Sequence, residues 1–351
     1  MIEKQPISNK NLFITFPVDF GNQTLEANLM EMFSNKMDFF RFASDHAEQT
    51  QKKKITLYES ILYRLKSTVS LRRRVHETSK KDGFLLFQNL SPALFSYGKW
   101  KGEKTIIVLD WTRTLYSDVY SGKIKKGIIF YAHKKIFKKC NKIMCWTDAS
   151  INNINRIYGI DKSKLYKVPA PFLIEKISIL PRNTPIKPRV LFIGGDWFRK
   201  GGDVLLNAWK TRLSTKCELT ILTSDKSLEI EGANIYTNIR YGTLEHKQIF
   251  EHNDILILPA RFDAYPQVIG EAAAGGLAVV TTKFALGSPE IVLHGKSGYI
   301  AGSPEESIDY LINLLNNPSK IDDFKKEGYN LMQEKFSLEE IRKQYFKVIE
   351  S

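Results

Sequence analysis

The sequence predicts an α/β protein of two Rossmann-like domains, each built on a parallel sheet. Three observations predict it: short, wholly apolar runs, segments of helical period between them, and a proline-rich break near the middle. A run that stays apolar without alternating suits a strand whose sheet is covered by helices on both faces. Such runs fall at 12–16, 39–42, 84–87, 105–109 and 143–146, and again at 190–193, 218–222, 234–236, 255–258 and 278–281. Helical segments such as 202–212 and 270–274 lie between them, giving the βα alternation of parallel sheets. Pro169, Pro171, Pro181, Pro185 and Pro188 punctuate a polar stretch of neither period, which reads as a linker. The expected division is a first domain over 1–178, a linker over 179–187, a second domain over 188–335 and a helix over 336–351 returning to the first domain. A chain of 351 residues is long enough for two cores. Ser303 with Glu306, and Ser337 with Glu340, are capping boxes that open helices after the last strand.

Composition narrows the setting. Cys140, Cys145 and Cys217 are too few and too irregular for a disulfide framework or a zinc site, so they read as buried thiols in a reducing compartment. Residues 1–11 hold no apolar signal segment and no run reaches spanning length, so the expected place is the cytoplasm, free or peripheral on the inner membrane face. The net charge of +14 calls for an anionic partner. Its cations gather in the first half, at Lys52–Lys54, Arg72–Arg74 and Lys134, Lys135, Lys138, Lys139 and Lys142. Neither an aromatic-and-basic stacking platform nor a groove-reading helix is present, which argues against nucleic acid. Residues 123–142 mix Ile128, Ile129, Phe130, Tyr131, Ile136 and Phe137 with lysines, as an anionic membrane surface would require. An ordinary helix with its apolar face on the sheet and its lysines in water accounts for that segment equally well.

Three strand-to-helix loops of the second half carry the chemistry. In the first, the apolar run ending at Ile193 leads into Gly194-Gly195-Asp196-Trp197-Phe198-Arg199-Lys200-Gly201-Gly202. Glycines there let backbone amides approach a phosphate, the following helix adds its partial positive charge, and Arg199 and Lys200 add full charges. A plain turn with solvated basic residues explains the same string. The spacing matches neither a Walker A loop nor the dinucleotide fingerprint. In the second, Pro259 and a polar loop lead to Asp263, and a helix starting near Val268 carries Glu271 in its first turn. A carboxylate there accepts two hydrogen bonds from a vicinal diol such as ribose, although a helix-start Glu is common without any ligand. The third, Thr281-Thr282-Lys283-Phe284-Ala285-Leu286-Gly287-Ser288-Pro289-Glu290, again sets a glycine and a hydroxyl before a helix. Three loops on one carboxyl edge describe a single crevice.

Jointly these motifs resemble the donor domain of glycosyltransferase family four. That family's carboxylate, seven residues, Glu and Ala-x-Ala-x-Gly is matched by Asp263, Glu271, Ala272, Ala274 and Gly276. Its Lys-Gly is matched by Lys200-Gly201, and its Gly-x-Pro-Glu-x-Val by Gly287-Ser288-Pro289-Glu290-Ile291-Val292. The resemblance implies GT-B architecture, two Rossmann-like domains whose sheets face across a cleft. It implies a metal-independent, retaining hexosyltransferase that takes a UDP- or GDP-linked sugar and builds polysaccharide or glycoconjugate. By position, Asp263 would meet the donor sugar, Glu271 the ribose, and Lys200 with Arg199 the diphosphate. Gly194, Gly195 and Gly201, and the amides from Leu286 through Gly287 to Ser288, would line the donor. No separate cofactor and no metal are expected.

The departures are specific. Asp263 stands where the family usually has Glu, Gly195 where an Arg is frequent, Ala278 where a Pro is usual and Leu286 where a Gly is usual. No His follows the strand at 84–87, where many relatives carry one; Gln88-Asn89 stands there, and His76 and His133 read as surface residues. Asp110-Trp111 ends the next strand and could contact an acceptor, a glycan or lipid-linked sugar, by hydrogen bonding and stacking, though a capped turn fits equally. Thr147 reads as a helix cap. Two other readings keep the fold: a nucleotide-sugar epimerase, which would need further carboxylates and a His, or a degenerate partner subunit.

Overall fold

A computed structural model describes residues 12–17, 23–33, 37–42, 57–124, 126–172, 179–237, 239 and 242–351. Residues 1–11, the Lys52–Lys54 cluster and the junction at 173–178 lie outside the described residues. The chain divides into two units, one of residues 1–168 with 342–351, the other of residues 169–341.

The first unit runs β1 (Leu12–Pro17), α1 (Gln23–Met32), β2 (Met37–Phe42), α2 (Leu57–Ser79), β3 (Leu85–Gln88), α3 (Leu90–Phe95), β4 (Thr105–Leu109), α4 (Arg113–Ser121), α5 (Ile128–Lys139), β5 (Lys142–Cys145), α6 (Asp148–Asn153) and β6 (Leu165–Lys167). Its six strands pair in the order β2-β1-β3-β4-β5-β6, all parallel. Each of β3, β4 and β5 is buried along its whole length, which is why these segments read as unbroken apolar runs. One face is filled by Leu71 and Val75 of α2, Ala93 of α3 and Ile136 and Phe137 of α5, against Leu85, Phe87, Ile107 and Ile143. Thr112 and Thr147 cap α4 and α6 by accepting from the amides of Leu115 and Ser150. The three cysteines of the chain are buried and unpaired.

The second unit runs β7 (Arg189–Ile193), α7 (Gly202–Ala208), β8 (Glu218–Thr223), β9 (Ala233–Thr237), α8 (Leu244–Glu251), β10 (Ile255–Leu258), α9 (Gln267–Ala274), β11 (Ala278–Thr282), α10 (Ser288–Ile291), β12 (Gly298–Ala301), α11 (Pro304–Leu315), α12 (Pro318–Lys335) and α13 (Leu338–Glu350), whose last residues belong to the first unit. The strand order is β12-β11-β10-β7-β8-β9, again all parallel. The chain fills one side through β8 and β9, then crosses to β10 on the other side of β7. The β7/β10 boundary is therefore the topological switch point, where the loops after neighbouring strands part and leave a crevice.

Two strands escape the sequence reading, β6 and β12. Both are short edge strands, and Leu-Tyr-Lys and Gly-Tyr-Ile-Ala lack the apolar run that marks a central one. At the amino end of the second sheet, Asp254 binds the Arg189 side chain through both oxygens and receives the Lys325 ammonium at 3.1 Å. Lys325 also donates to the carbonyl of Arg182, so this buried pair fastens the incoming segment to the sheet. Within the first unit, Trp146 Nε1 donates to Tyr345 Oη at 2.9 Å and Lys142 Nζ to the Val348 carbonyl at 2.7 Å, holding the terminal residues.

Candidate functional site

The loops after β7, β10 and β11 leave three adjacent strands, and the chain knits them together. Arg261 N–H donates to the Arg199 carbonyl, joining the second loop to the first. Asp263 N–H donates to Phe284 O and Leu286 N–H to Asp263 O, a parallel bridge joining the second loop to the third. Arg261 forms two parallel bonds to Asp203, lies over the Phe198 ring at 4.0 Å and donates to the Phe198 carbonyl. The first loop is thus clamped from both ends.

Lys200 and Asp263 meet at the centre of this edge. The Lys200 ammonium donates to Asp263 Oδ2, with both side chains only 14% and 13% exposed. Arg199 Nη1 stands 3.7 Å from the same oxygen and donates to the Phe262 carbonyl, while its Nε binds Asp196 at 2.9 Å. Two cations, Lys200 and Arg199, face two carboxylates, Asp263 and Asp196, so the charges balance at this corner of the sheet edge.

Glu271 lies in the second turn of α9, not the first. The helix begins at Gln267 behind Pro266, so Glu271 is its fifth residue and no acid occupies the first turn. The helix N-terminus therefore does not stabilise its charge, because that effect falls off within one turn. Burial dominates instead. Glu271 is 7% exposed, and burial raises its carboxyl from an ordinary 4.5 to about 7, with the Lys200 ammonium acting in the opposite direction. Among the described residues nothing donates a hydrogen bond to this carboxylate. His246 of α8 stands close by, its Nε2 4.0 Å from Glu271 Oε2.

The glycines act differently from the sequence expectation. Gly194 N–H is taken by Leu222 O and Gly201 N–H by Phe198 O, so neither amide is offered to a phosphate. They are glycines because the loops pack closely. A Cβ at Gly201, whose φ is +80°, would lie 1.9 Å from the Pro259 carbonyl oxygen. In the third loop Leu286 N–H and Ser288 N–H are likewise taken, by Asp263 O and Ala285 O. The Ser288 hydroxyl is fully buried and turned towards Thr282 O, so it does not face the crevice. The amides of Gly195 and Gly287 have no carbonyl partner among the described residues.

In the first unit, Gln88 closes β3 and is 2% exposed, yet neither its amide oxygen nor its nitrogen has a hydrogen-bond partner among the described residues. Asn89 follows at φ 65°, ψ 178°, a conformation rare outside glycine, while its N–H donates to Val108 O. Asp110 accepts from the Trp111 amide, and Trp111 is half-exposed with its edge against Tyr116. His133 is half-buried rather than fully exposed. Its Nδ1 is buried, and burial with the Arg113 charge lowers the ring to about 4. His246 is the residue the sequence reading missed: it lies 6% exposed against Phe250, and no motif marks it.

Residues 187–317 match the family model of glycosyl transferases group 1. An uncharacterized 41.2 kDa protein from the cps region of Klebsiella pneumoniae is 26% identical over 245 residues, 64% of this chain and 64% of that protein. An uncharacterized glycosyltransferase of Haemophilus influenzae is 26% identical over 181 residues, 47% of this chain and 50% of that one. The chain thus spans between half and two thirds of the length of these curated relatives. The structure of Anabaena HepE in complex with UDP and glucose superposes with a TM-score of 0.74 at 13% identity, covering 97% of this chain and 100% of that chain. The fold is GT-B. Among the described residues no group of three or more His, Cys, Asp or Glu could hold a metal ion, and no helix is long and apolar enough to cross a membrane.

The buried carboxylate has a measurable cost. Because the folded protein holds the Glu271 proton up to about pH 7 and the unfolded chain releases it near 4.5, stability is lost as pH rises between those values. The difference amounts to about 3 kcal/mol, at roughly 1.4 kcal/mol for each pKa unit. Glu271→Gln is therefore expected to melt several degrees above the unsubstituted protein at pH 8 and nearly with it at pH 4.5, in ligand-free thermal scans.

Proposed function

We propose that this chain is a metal-independent, retaining glycosyltransferase that moves a sugar from a nucleoside diphosphate to a glycan or lipid-linked acceptor. One observation carries the reading: a buried Glu271 carboxylate, without a hydrogen-bond donor among the described residues, shares a sheet edge with the cations of Lys200 and Arg199. A vicinal diol supplies the two donors that a carboxylate lacks, and a diphosphate supplies the anion that two cations attract. A nucleoside diphosphate carries both.

Asp263 holds Lys200 in place before substrate arrives. When the donor binds, the ammonium divides between Asp263 and the phosphate, and the Asp263 carboxylate faces the sugar hydroxyls. As the anomeric bond breaks, negative charge grows on the departing diphosphate, and Lys200 with Arg199 stabilises it in the role a metal plays elsewhere. Gly195 and Gly287 add amides to the donor. UDP in the HepE structure supports a uridine donor, with GDP the other base to try. The cps-region relative supports polysaccharide as the product.

In the first unit, Gln88, Asn89, Asp110 and Trp111 are assigned to the acceptor, an assignment supported by the partnerless amide of Gln88. On α5, Phe130, Ile136 and Phe137 are buried, while Ile128 is 86% exposed and Ile129, Tyr131 and Lys138 are exposed, as is Lys126 just before the helix. An exposed apolar cluster among cations suits the anionic inner face of a membrane, where a lipid-linked acceptor resides.

A nucleotide panel tests the donor site. UDP or GDP is expected to raise the melting temperature without added metal, by about 2.7 kcal/mol of stabilisation at a hundredfold excess over Kd. Glu271→Ala should abolish the shift, and Lys200→Ala should slow transfer at least a hundredfold while weakening sugar recognition little. A protein that no nucleotide stabilises is not a transferase of this kind. Flotation tests the membrane surface: co-flotation with anionic but not neutral vesicles is expected, reduced in Ile128→Asp. Equal flotation with both removes it.

A further inference from the structure

The site contains a second buried ionisable group that donor binding alone does not explain. His246 is the third residue of α8, whose amino end is capped by the Thr243 hydroxyl accepting from the His246 amide at 3.2 Å. The cap fixes where the side chain starts. Its ring is wedged edge-on against Phe250 one turn later, with centroids 5.1 Å apart. Its Nε2 then faces Glu271 Oε2 at 4.0 Å, with both side chains under a tenth exposed. Two titratable groups from two helices thus meet where a ribose would sit.

We propose that His246 is a positioning residue for Glu271, taking up the carboxyl proton when a nucleoside diphosphate binds. The inference rests on the donor-site reading above and concerns how that site handles its proton. In the free protein both groups are held neutral by burial, which raises the Glu271 carboxyl and lowers the His246 imidazole. Ribose hydroxyls bind best to the ionised carboxylate, so the Glu271 proton has to leave. An approach of about 1 Å brings Oε2 and Nε2 into hydrogen-bond range. The proton passes from Glu271 Oε2 to His246 Nε2, the ring keeping its other hydrogen on Nδ1. A neutral pair becomes an ion pair and no proton reaches solvent.

Other charges near the carboxyl do not compete for this proton. Lys200, from the loop after β7, lowers the carboxyl and is paired with Asp263. The strands β10 and β11 beside α9 bring no charged side chain. On α12, the buried Lys325 is held by Asp254 and the Arg182 carbonyl, and α10 contributes Glu290, a carboxylate. On α8 itself, Glu245 is exposed and Lys247 half-exposed. Among the described residues His246 is therefore the basic nitrogen beside the carboxyl, at 4.0 Å.

Calorimetric titration of UDP, and of GDP in parallel, tests this at about pH 6 in two buffers of different ionisation enthalpy. The unsubstituted protein is expected to release almost no proton on binding. His246→Gln, which keeps a polar side chain of similar reach, should release about one, and its affinity should fall about tenfold per pH unit below 7. The same proton release in both proteins overturns the proposal while leaving the donor site intact. Binding of neither nucleotide at any pH overturns the donor site as well. Should the variant not fold, nitrogen NMR of the histidines in the unsubstituted protein decides. His246 becoming an imidazolium on UDP addition supports the proposal, and a ring that stays neutral overturns it.

Discussion

The ion pair between Lys200 and Asp263 is the contact on which the rest of the site depends. It joins loops that leave adjacent strands, β7 and β10, at the point where the sheet's winding order reverses. A lysine on a solvated loop would sample many rotamers, each fixed at an entropic cost of up to about 2 kcal/mol. Here its position is set before any ligand arrives, by a carboxylate itself held through backbone bonds to Phe284 and Leu286. Arg199 and Arg261 extend the same logic. Each guanidinium answers a carboxylate and a carbonyl, so the loop backbones are braced by the side chains that carry the charge. Asp263, one methylene shorter than glutamate, still reaches Lys200.

Glu271 meets the opposite condition. It sits inside a helix of small residues, Ala272, Ala273 and Ala274, which lets α9 lie close to its neighbours and closes water away from the carboxyl. Gly270 allows the Phe172 ring to lie where a Cβ would clash at 2.4 Å. A carboxyl so enclosed is costly to ionise without a donor. A ligand that brings two hydroxyls relieves that cost and gains specificity, since a nucleotide without the diol would leave the group unsatisfied. In the proposed site, tight packing and ligand selectivity would be one property of the α9 sequence.

Much of this was legible in the sequence, and the failures have physical causes. Central strands such as β4 and β10 announce themselves because burial on both faces admits only apolar residues. The edge strands β6 and β12 do not: β6 is partly exposed along its length, and β12 is four residues long with a Gly and an Ala among them. The loop glycines were legible as sites of close approach, but not what approaches. At Gly201 it is the Pro259 carbonyl rather than a phosphate, and a string of letters does not distinguish the two. The depth of Glu271 turned on a helix start misplaced by one residue, enough to exchange a dipole argument for a burial argument. His246 was invisible because its significance lies in a contact across 25 positions of sequence, made by a helix whose other polar residues are ordinary. The +14 charge gave a partner class without a geometry, because a count of lysines does not say which surface they share.

The central claim is that one nucleoside diphosphate spans Glu271 and Lys200. A crystal structure with UDP or GDP bound tests it most directly. Ribose hydroxyl oxygens within about 2.6–3.2 Å of the Glu271 carboxylate, with a phosphate oxygen on the Lys200 ammonium, are the predicted result. A nucleotide seated elsewhere on the second unit, with the Lys200–Asp263 pair closed and Glu271 still without a donor, would contradict it.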